Sequence, residues 1–446
     1  MSKKQSNKTN QYFVQSILAV ACWGLHSVSA QTVNFSQALV PLLEGAPRTQ
    51  AAAADVRAAG ARVDEVSRRA WTPQFELNAS TGYQRFEKPN AELHEVSNAL
   101  THTMRLTQLV SDFGRSAKSI QENEMVKAQA EAGLEAMKQG VVLDALQAYL
   151  SVQRAQKVLV FAQMSEKNIV EQARIEDAMV VAGRGYVSNV LQAKAQLAGA
   201  QARRVRAEGA QSVAYYRVQA VFGDMTSKLS YEQQIPTASN LPKSLESALE
   251  EAKANSLQIK LGKFRSEALT ARMASVRARE YAPRVQLLAE SRRATAFDGV
   301  MGTVKDDRAQ IQLNYPINLG LAGSSAVSGA QHDIAASIAR EDETRNLVQE
   351  QVAIAWRNLQ TAQDNQLNLQ NQVRLAQEFL NIARQERTVG KRSLLDVLSA
   401  ETNLLNAQSD LVSTDFDVIS ASYTLMQAMG RLDPASVMTQ LASARR

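Results

Sequence analysis

The chain uses the same sequence landmarks twice, with the first at 183 and its counterpart at 390, a shift of 207 positions. The segment 183–193 reads Gly-Arg-Gly-Tyr-Val-Ser-Asn-Val-Leu-Gln-Ala, and the segment 390–400 reads Gly-Lys-Arg-Ser-Leu-Leu-Asp-Val-Leu-Ser-Ala. Earlier in each half, Pro73 and Pro283 each precede a run of alternating apolar and polar residues. A fixed period of this length indicates one structural unit that is used twice in one chain.

The repeat divides the chain into five predicted segments. They are an export signal (1–30), a first repeat (31–223), an equatorial linker (224–243), a second repeat (244–432) and a C-terminal tail (433–446). Two similar halves of this size predict an architecture with internal two-fold pseudosymmetry.

The first thirty residues have the three regions of an export signal. Lysines make the start basic, an apolar core follows, and small residues at 28–30 form a cleavage motif. We predict cleavage after Ala30. The alternative is lipoprotein processing at Cys22, which is the only cysteine of the chain.

The composition of the mature chain excludes several classes of protein. Cleavage would remove three lysines and lower the net charge from +6 to +3, and no basic stripe interleaved with aromatic residues points to nucleic acid. A mature chain without cysteine has neither a disulfide framework nor thiol chemistry. It also has no run of about 20 apolar residues, as a transmembrane helix requires.

Two very long stretches, from Gly114 to Gly183 and from Gly323 to Gly390, contain no proline and follow a heptad pattern. Each has about 68 residues, which is roughly 100 Å of α-helix. Many heptad positions are alanine, so we expect close coiled-coil packing. Each repeat also has two shorter helical stretches, of about 38 and about 25 residues, whose lengths add up to nearly that of one long helix. We expect these two to stack end to end beside a long helix.

Four segments alternate apolar and polar residues: about 74–86, 101–111, 284–296 and 307–317. Period two predicts strands with one apolar and one polar face. Open sheet edges are not tolerated in lipid, so in a membrane these strands must belong to a closed barrel that several copies share. A dimer would supply eight strands, a trimer twelve and a tetramer sixteen. A soluble sheet with one buried face is the alternative.

No motif for catalysis or for cofactor binding is present in the sequence. His94, His102 and His332 are not paired with further ligands at metal-binding spacing. The chain also lacks a phosphate loop, a nucleotide fingerprint and a Ser-His-Asp arrangement. We therefore predict a protein that is not an enzyme, with no catalytic residues, no metal and no cofactor.

The segment 389–400, Val-Gly-Lys-Arg-Ser-Leu-Leu-Asp-Val-Leu-Ser-Ala, resembles the periplasmic tip turn of TolC-type outer-membrane channel proteins. The resemblance extends over nearly all of 31–432. It implies a mainly α fold with a β-barrel end, in which a homotrimer forms a 12-stranded barrel in the outer-membrane lipid of a Gram-negative cell. An α-helical barrel would continue into the periplasm and dock to an inner-membrane transporter through a periplasmic adaptor.

The resemblance also implies that the two tips, at 183–186 and 390–393, bind the adaptor. Packing inside the bundle is the alternative role for the same residues. The implied docking residues are Gly183, Gly185, Ser188, Val190, Leu191, Gly390, Ser393, Val397 and Leu398.

An entrance gate is implied at the same tips, although the family pattern is only partly kept. Arg392 matches a gate arginine, whereas Arg387 stands where the family has a tyrosine and Asn189 where it has an aspartate. Asp396 matches the first of two aspartates that narrow the lumen, and Ser399 replaces the second. An Arg392–Asn189 hydrogen bond to a neutral group would hold a closed state loosely. Asp396 has a second interpretation as a first-turn helix residue.

These expectations converge on a passive exit duct of a tripartite export system, powered by its partner. The tip motif favours type I protein secretion with an ABC transporter. Multidrug efflux with an RND pump is the alternative, and a soluble, trimeric coiled-coil interaction protein of the periplasm is an alternative of another class.

Overall fold

The computed structural model describes residues 33–87, 94–297, 300–317 and 319–443. The predicted export signal, with its cleavage after Ala30 and the alternative at Cys22, lies outside the described residues.

The first repeat runs as two helices, two strands, a long helix and a returning helix. Its elements are α1 (Phe35–Gly45), α2 (Pro47–Trp71), β1 (Gln74–Glu87), β2 (His94–Ser111), α3 (Arg115–Val181) and α4 (Val187–Phe222).

The second repeat has the same order after a linker that begins with a 3-10 segment, Gly223–Lys228. Its elements are α5 (Leu245–Asn255), α6 (Leu257–Tyr281), β3 (Arg284–Phe297), β4 (Val300–Asn314), α7 (Ala322–Thr388) and α8 (Leu394–Ala428), and a tail helix, α9 (Pro434–Ser443), follows.

Two of the four strands differ from their predicted bounds. β2 begins at His94 rather than near 101, and β4 spans Val300–Asn314 rather than 307–317. The first residues of β2 and β4 do not alternate between apolar and polar, so the sequence pattern does not identify them. Their backbone nevertheless pairs with the preceding strand, and each pair of strands therefore extends to its hairpin turn. Residues 315–317 lie beyond the ladder because β3 begins at Arg284, opposite Asn314.

Proline sets the boundary between helix and strand in both repeats. Thr72 and Ala282 follow α2 and α6, and each has an extended ψ of 143°. The residue before a proline is disfavoured in the α conformation, so both helices end there and the chain enters a strand.

The long helices α3 and α7 have 67 residues each, which corresponds to roughly 100 Å. α4 packs back along α3, and α8 along α7, so that each repeat forms a helical hairpin. The buried seam follows the predicted heptads, and its small side chains let the helices approach closely. Seam residues are Ala148, Val152, Ala155, Leu159, Ile169, Ala173 and Glu176 on α3, and Ala355, Leu359, Ala362, Leu380 and Ala383 on α7.

The largest hydrophobic core lies part-way along the hairpins, where the linker wraps around them. The rings of Phe35 and Tyr149 are 4.9 Å apart, and Phe35 also contacts Phe222 at 6.2 Å. The Tyr149 hydroxyl donates to the backbone oxygen of Ser230 at 3.0 Å, and the Tyr423 hydroxyl to that of Pro236 at 3.1 Å. These bonds fix the linker against α3 and α8. Burial raises the pKa of Tyr423 to about 12, so its hydroxyl remains a donor.

The four strands form one antiparallel sheet in the order β1-β2-β3-β4. β1 pairs with β2, β2 with β3 across the two repeats, and β3 with β4. In the described chain β1 and β4 are therefore the two edges of the sheet. β1 has 14 residues, which is about 46 Å of strand at 3.3 Å per residue, longer than the apolar band of an outer-membrane barrel.

Candidate functional site: the helical tips and the two faces of the sheet

Both tips reverse the chain with the same backbone geometry. Gly183 and Gly390 have φ values of 73° and 75°, the left-handed region that glycine adopts without steric cost. The Arg184 N–H donates to the Met179 oxygen at 2.9 Å, and the Lys391 N–H donates to the Glu386 oxygen at 2.9 Å. These are the long-range bonds of Schellman caps, which close the long helices before the chain turns.

The predicted docking residues divide into an exposed and a buried group. Gly183, Ser188, Leu191, Gly390 and Ser393 are exposed, and Gly185 is partly buried. The remaining three are Val190, Val397 and Leu398, with only 6%, 4% and 1% of their surface exposed.

Packing inside the chain accounts for the burial of Val397 and Leu398. Val397 packs with Leu380 and Ala383 in the second hairpin, while Leu398 packs with Ile169 of the first hairpin. The prediction that Val190, Val397 and Leu398 offer docking side chains is corrected on this point, because their side chains are not accessible at the surface.

The two tips begin their returning helices differently. Ser393 caps α8, because its hydroxyl accepts the Asp396 N–H at 3.2 Å and bonds the Asp396 carboxylate at 2.8 Å. At the matching position of the first repeat, Tyr186 precedes α4 without a side-chain cap and is 76% exposed. The described position of Asp396 agrees with its interpretation as a first-turn residue.

The predicted gate residues are engaged within their own hairpins. The Arg392 Nε donates to the Glu386 carboxylate at 2.7 Å, and the guanidinium lies 5.0 Å from the centre of the Phe379 ring. Asn189 lies on the other hairpin and donates its backbone N–H to Tyr186 at 3.0 Å. The described chain does not bring Arg392 and Asn189 together. Arg387 is partly buried and Ser399 is exposed.

Two exposed apolar side chains at the first tip, Val181 and Val187, were missed by the sequence reasoning, and they lie near Leu191, which was predicted as a docking residue. Val181, Val187 and Leu191 are 86%, 63% and 64% exposed. The 207-residue shift could have indicated an apolar surface here, since Val187 and Leu191 correspond to Leu394 and Leu398. The sequence does not tell, however, which of two matching side chains is buried by a neighbouring helix.

The sheet separates an apolar face from a polar one. Residues that lie directly opposite each other on paired strands share a face. Most of the large side chains on the apolar face are exposed in the single chain. The exposed large side chains of this face include Phe75, Leu77, Tyr83, Met104, Leu106, Leu287, Ile311 and Leu313.

A row of alternating charges crosses all four strands on the polar face. Glu76, Arg105, Glu290 and Arg308 are register partners. Arg105 lies 3.8 Å from Glu76 and 2.7 Å from Glu290, and Glu290 also pairs with Arg308. Alternation in the sequence predicts that these residues lie on the polar face. Their pairing across the strands could be identified only from the strand register.

Aromatic side chains surround the points where helices meet strands. Trp71, Phe113, Tyr281 and Tyr315 are 49%, 60%, 51% and 54% exposed. Such rings are typical of membrane–water interfaces, where an apolar body and a polar edge are both accommodated.

Within the described ranges, no helix combines the length and the apolar character needed to cross a bilayer. The same part of the chain holds no group of three or more histidine, cysteine, aspartate or glutamate side chains that would fit a metal ion.

Comparison with known families gives a match to a sequence model described as "Outer membrane efflux protein". It matches twice, over residues 38–224 and 248–431, in agreement with the two structural repeats.

Two curated proteins are similar over most of their length. The outer membrane efflux protein BepC of Brucella suis biovar 1 (strain 1330) is 27% identical over 398 residues, which cover 86% of this chain and 83% of that protein. The outer membrane protein TolC of Escherichia coli (strain K12) is 24% identical over 410 residues, with 87% and 80% covered.

Among solved structures, the fold is similar to that of CusC, with a TM-score of 0.77 and 18% sequence identity over 90% of this chain and 93% of CusC. At this identity the likeness concerns the fold alone.

Proposed function

Since this chain belongs to the outer membrane efflux protein family, we propose that it is the exit duct of a tripartite export system and conducts its substrate passively to the outside. Members of this family are channels rather than enzymes, and they reside in the outer membrane of Gram-negative bacteria. The observation that carries the proposal is the two-faced sheet, which has an exposed apolar side, a polar side and helices of roughly 100 Å directly below it.

The duct closes when three copies join their sheets into a barrel of twelve strands. Four strands with two unpaired edges leave backbone groups without partners, and lipid cannot supply those partners. In the trimer, β4 of one copy pairs with β1 of the next. The apolar face then meets lipid, and the row from Glu76 to Arg308 lines the pore.

Pseudosymmetry at the tips supports the same ring. Leu394 and Leu398 of α8 pack against the first hairpin of their own chain. Their counterparts Val187 and Leu191 would make the equivalent contact against the second hairpin of the neighbouring copy. Ring closure thereby covers the apolar surface of the first tip, and Leu191 is assigned to this contact between copies.

The adaptor docks at the tip surface that is still exposed, around Gly183, Gly185, Ser188, Gly390 and Ser393. The gate lies at the same end, where Arg392, Asp396 and Asn189 of successive hairpins approach one another. Because Arg392 is bonded to Glu386 within its own hairpin, the closed state is held loosely.

Type I protein secretion with an ABC transporter is the proposed pathway, on the likeness of the second tip. Small-molecule efflux with an RND pump is the second candidate, because the relative BepC carries the name of an efflux protein.

Crosslinking from the tip tests the docking and the pathway together. Lys391 is exposed and lies at the turn, whereas Ser393 caps a helix and is less suited to replacement. A Lys391→Cys variant with a bifunctional reagent is expected to capture a periplasmic adaptor, which mass spectrometry then identifies. Co-purification of an ABC transporter supports secretion, and an RND pump supports efflux.

The matched control is Ser212→Cys on α4, which is exposed but roughly 40 Å from the tip at 1.5 Å per residue. Equal capture of the adaptor from both positions would contradict docking at the tip. Sarkosyl fractionation tests the duct itself: a mature protein that is folded and fully soluble without detergent would instead support the periplasmic interaction protein.

A further inference from the structure

A cavity of about 490 Å³ lies where the helices of the two repeats meet the sheet. We call it the junction pocket. Its walls come from α2, the N-terminal turns of α3, the C-terminal part of α6 and the adjoining ends of three strands. All of these elements belong to one chain, so the pocket is complete before any copies assemble.

Five arginines from four elements line the junction pocket. They are Arg69, Arg115, Arg272, Arg279 and Arg284.

Three carboxylates also line the pocket, but two of them are already engaged. Glu65 is paired with Arg69 at 2.9 Å. Asp112 is buried, and it accepts the Ser116 N–H at 2.9 Å in the first turn of α3. The third carboxylate is Glu122, which is partly buried. The cations of the pocket therefore exceed its available anions.

Three of the arginines have guanidinium groups that no carboxylate holds in a close ion pair. Arg279 pairs with Glu280 at 2.9 Å. In contrast, the guanidinium groups of Arg115, Arg272 and Arg284 make no hydrogen bond and no close ion pair within the part of the chain that the structure describes, although the charge of Arg272 acts on the carboxyl of Glu122. They come from α3, α6 and β3, so convergence of three elements, and not one solvated helix face, brings them together.

The junction pocket opens on the polar face of the sheet. Gln74, Leu109 and Arg284 line the pocket, and the strand register places all three on the face that carries Glu76 and Glu290. The exposed apolar side chains lie on the opposite face. A barrel that turns its apolar face to lipid turns the junction pocket toward the pore.

We propose that the junction pocket is an anion site on the pore wall, at which carboxylate or phosphate groups of the exported substrate bind transiently to Arg115, Arg272 and Arg284. Guanidinium groups form paired, charge-assisted hydrogen bonds with both kinds of group. Three copies would place three such sites around the entrance to the barrel. The assignment to substrate rests on the proposed duct function, whereas the anion site itself does not.

Binding of soluble anions to the purified, assembled protein in detergent tests the site directly. Inorganic pyrophosphate and citrate serve as probes in isothermal titration calorimetry. The triple variant Arg115→Gln/Arg272→Gln/Arg284→Gln is expected to weaken binding about tenfold or more, because each lost guanidinium removes charge-assisted hydrogen bonds.

The control variant Arg62→Gln/Lys118→Gln/Arg277→Gln removes the same charge from α2, α3 and α6, at residues that do not line the pocket. It is expected to bind as the wild type does. Equal weakening in the two triple variants would overturn the site and indicate a general charge effect.

A single substitution, Glu122→Gln, covers the case in which the triple variant does not fold. It removes a pocket carboxylate that has no close ion pair and whose charge interacts with Arg272, so pyrophosphate binding is expected to become about threefold tighter, at an effective dielectric typical of protein surfaces. Unchanged or weaker binding in this variant contradicts the proposal, and misfolding does not produce tighter binding.

Two further measurements are informative. The first distinguishes a substrate site from a lipid site, and the second tests the duct function independently of the anion site. If anionic phosphatidylglycerol in reconstituted vesicles competes with pyrophosphate where neutral phosphatidylcholine does not, headgroups fill the pocket and the assignment to substrate is wrong. Conductance in planar bilayers reports on the duct alone. A conducting pore that binds no pyrophosphate refutes the site, and a non-conducting protein that does bind it refutes the duct.

Discussion

The carboxyl group of Glu122 lies partly buried in the junction pocket, near Arg272. Burial raises the pKa of this carboxyl above its ordinary value of 4.5, and the positive charge of Arg272 offsets part of the rise. A raised pKa means that the folded protein holds the proton more tightly than the unfolded chain does. The stabilisation is complete below pH 4.5 and is lost as the pH rises through the higher pKa of the folded state.

Glu122→Gln is therefore expected to raise the melting temperature at pH 7 to 8, because it removes an ionised group from a partly desolvated position. The gain should disappear below pH 4.5, where the wild-type carboxyl is protonated too. Thermal unfolding of the detergent-solubilised protein, followed by circular dichroism across this pH range, measures the difference.

The exposed residue Glu124, on the same helix, provides the control for this measurement. Glu124→Gln should change stability by no more than about 0.5 kcal/mol, as is usual for surface substitutions. A gain with Glu122→Gln that is equally large at pH 4 would show that the substitution acts through packing and not through ionisation.

For single residues, the sequence predicted which side chains belong to the tips better than it predicted which of them are buried. Asp396 was given two interpretations, and the hydrogen bonds with Ser393 show how it takes part in the helix start. Val397 and Leu398 were predicted at the tip surface but are buried. Val397 is covered by α7 of its own hairpin, whereas Leu398 is covered by Ile169 of the first hairpin, more than 200 positions earlier in the chain.

At the scale of elements, the left-handed glycines decide where the long helices end. A Cβ built on Gly390 would meet nothing within 4 Å, although its φ is +75°. Gly390→Ala therefore isolates the cost of the left-handed backbone. We expect the variant to lower the free energy of unfolding by about 1 kcal/mol, measured by urea unfolding in detergent.

Gly209 in α4 is the matched control, because it too has open space around its Cβ position but lies inside a helix. Gly209→Ala is expected to stabilise the protein by about 0.5 to 1 kcal/mol. If both alanine variants were stabilised, the left-handed turn would not be required at the tip.

Helices and strands were predictable because their signals are local. The heptads of α3 and α7 and the alternation of β1 and β3 depend on residues within one or two turns or a few strand positions. The early parts of β2 and β4 were missed, because the pairing there comes from the neighbouring strand and not from alternation in their own residues.

At the scale of the whole molecule, contacts between elements separate glycines that look alike in the sequence. Gly430 has a φ of +73°, similar to that of Gly390, but a Cβ there would lie 2.6 Å from the Asn255 oxygen at the end of α5. Gly430→Ala is expected to cost about 1 to 3 kcal/mol more than Gly390→Ala, because overpacking adds to backbone strain. Urea unfolding of the two variants side by side measures the difference.

Equal destabilisation by the two substitutions would mean that the close approach of α5 and the end of α8 is relaxed in solution. The first repeat offers a further comparison. Gly223 occupies the matching place in the repeat, and a Cβ there would meet nothing within 4 Å. Repetition in the sequence thus does not guarantee the same packing in the two halves.

The amino-acid sequence alone was enough to predict the internal repeat, the long coiled-coil hairpins, the two-faced strands and the family, because periodicity and turn glycines act over short stretches of chain. The fold was needed to show which tip residues are buried, how charges pair across the sheet and that arginines from three elements converge in one pocket. Those features depend on the register between strands and on packing between the two repeats, and neither is encoded in the spacing of residues along one segment.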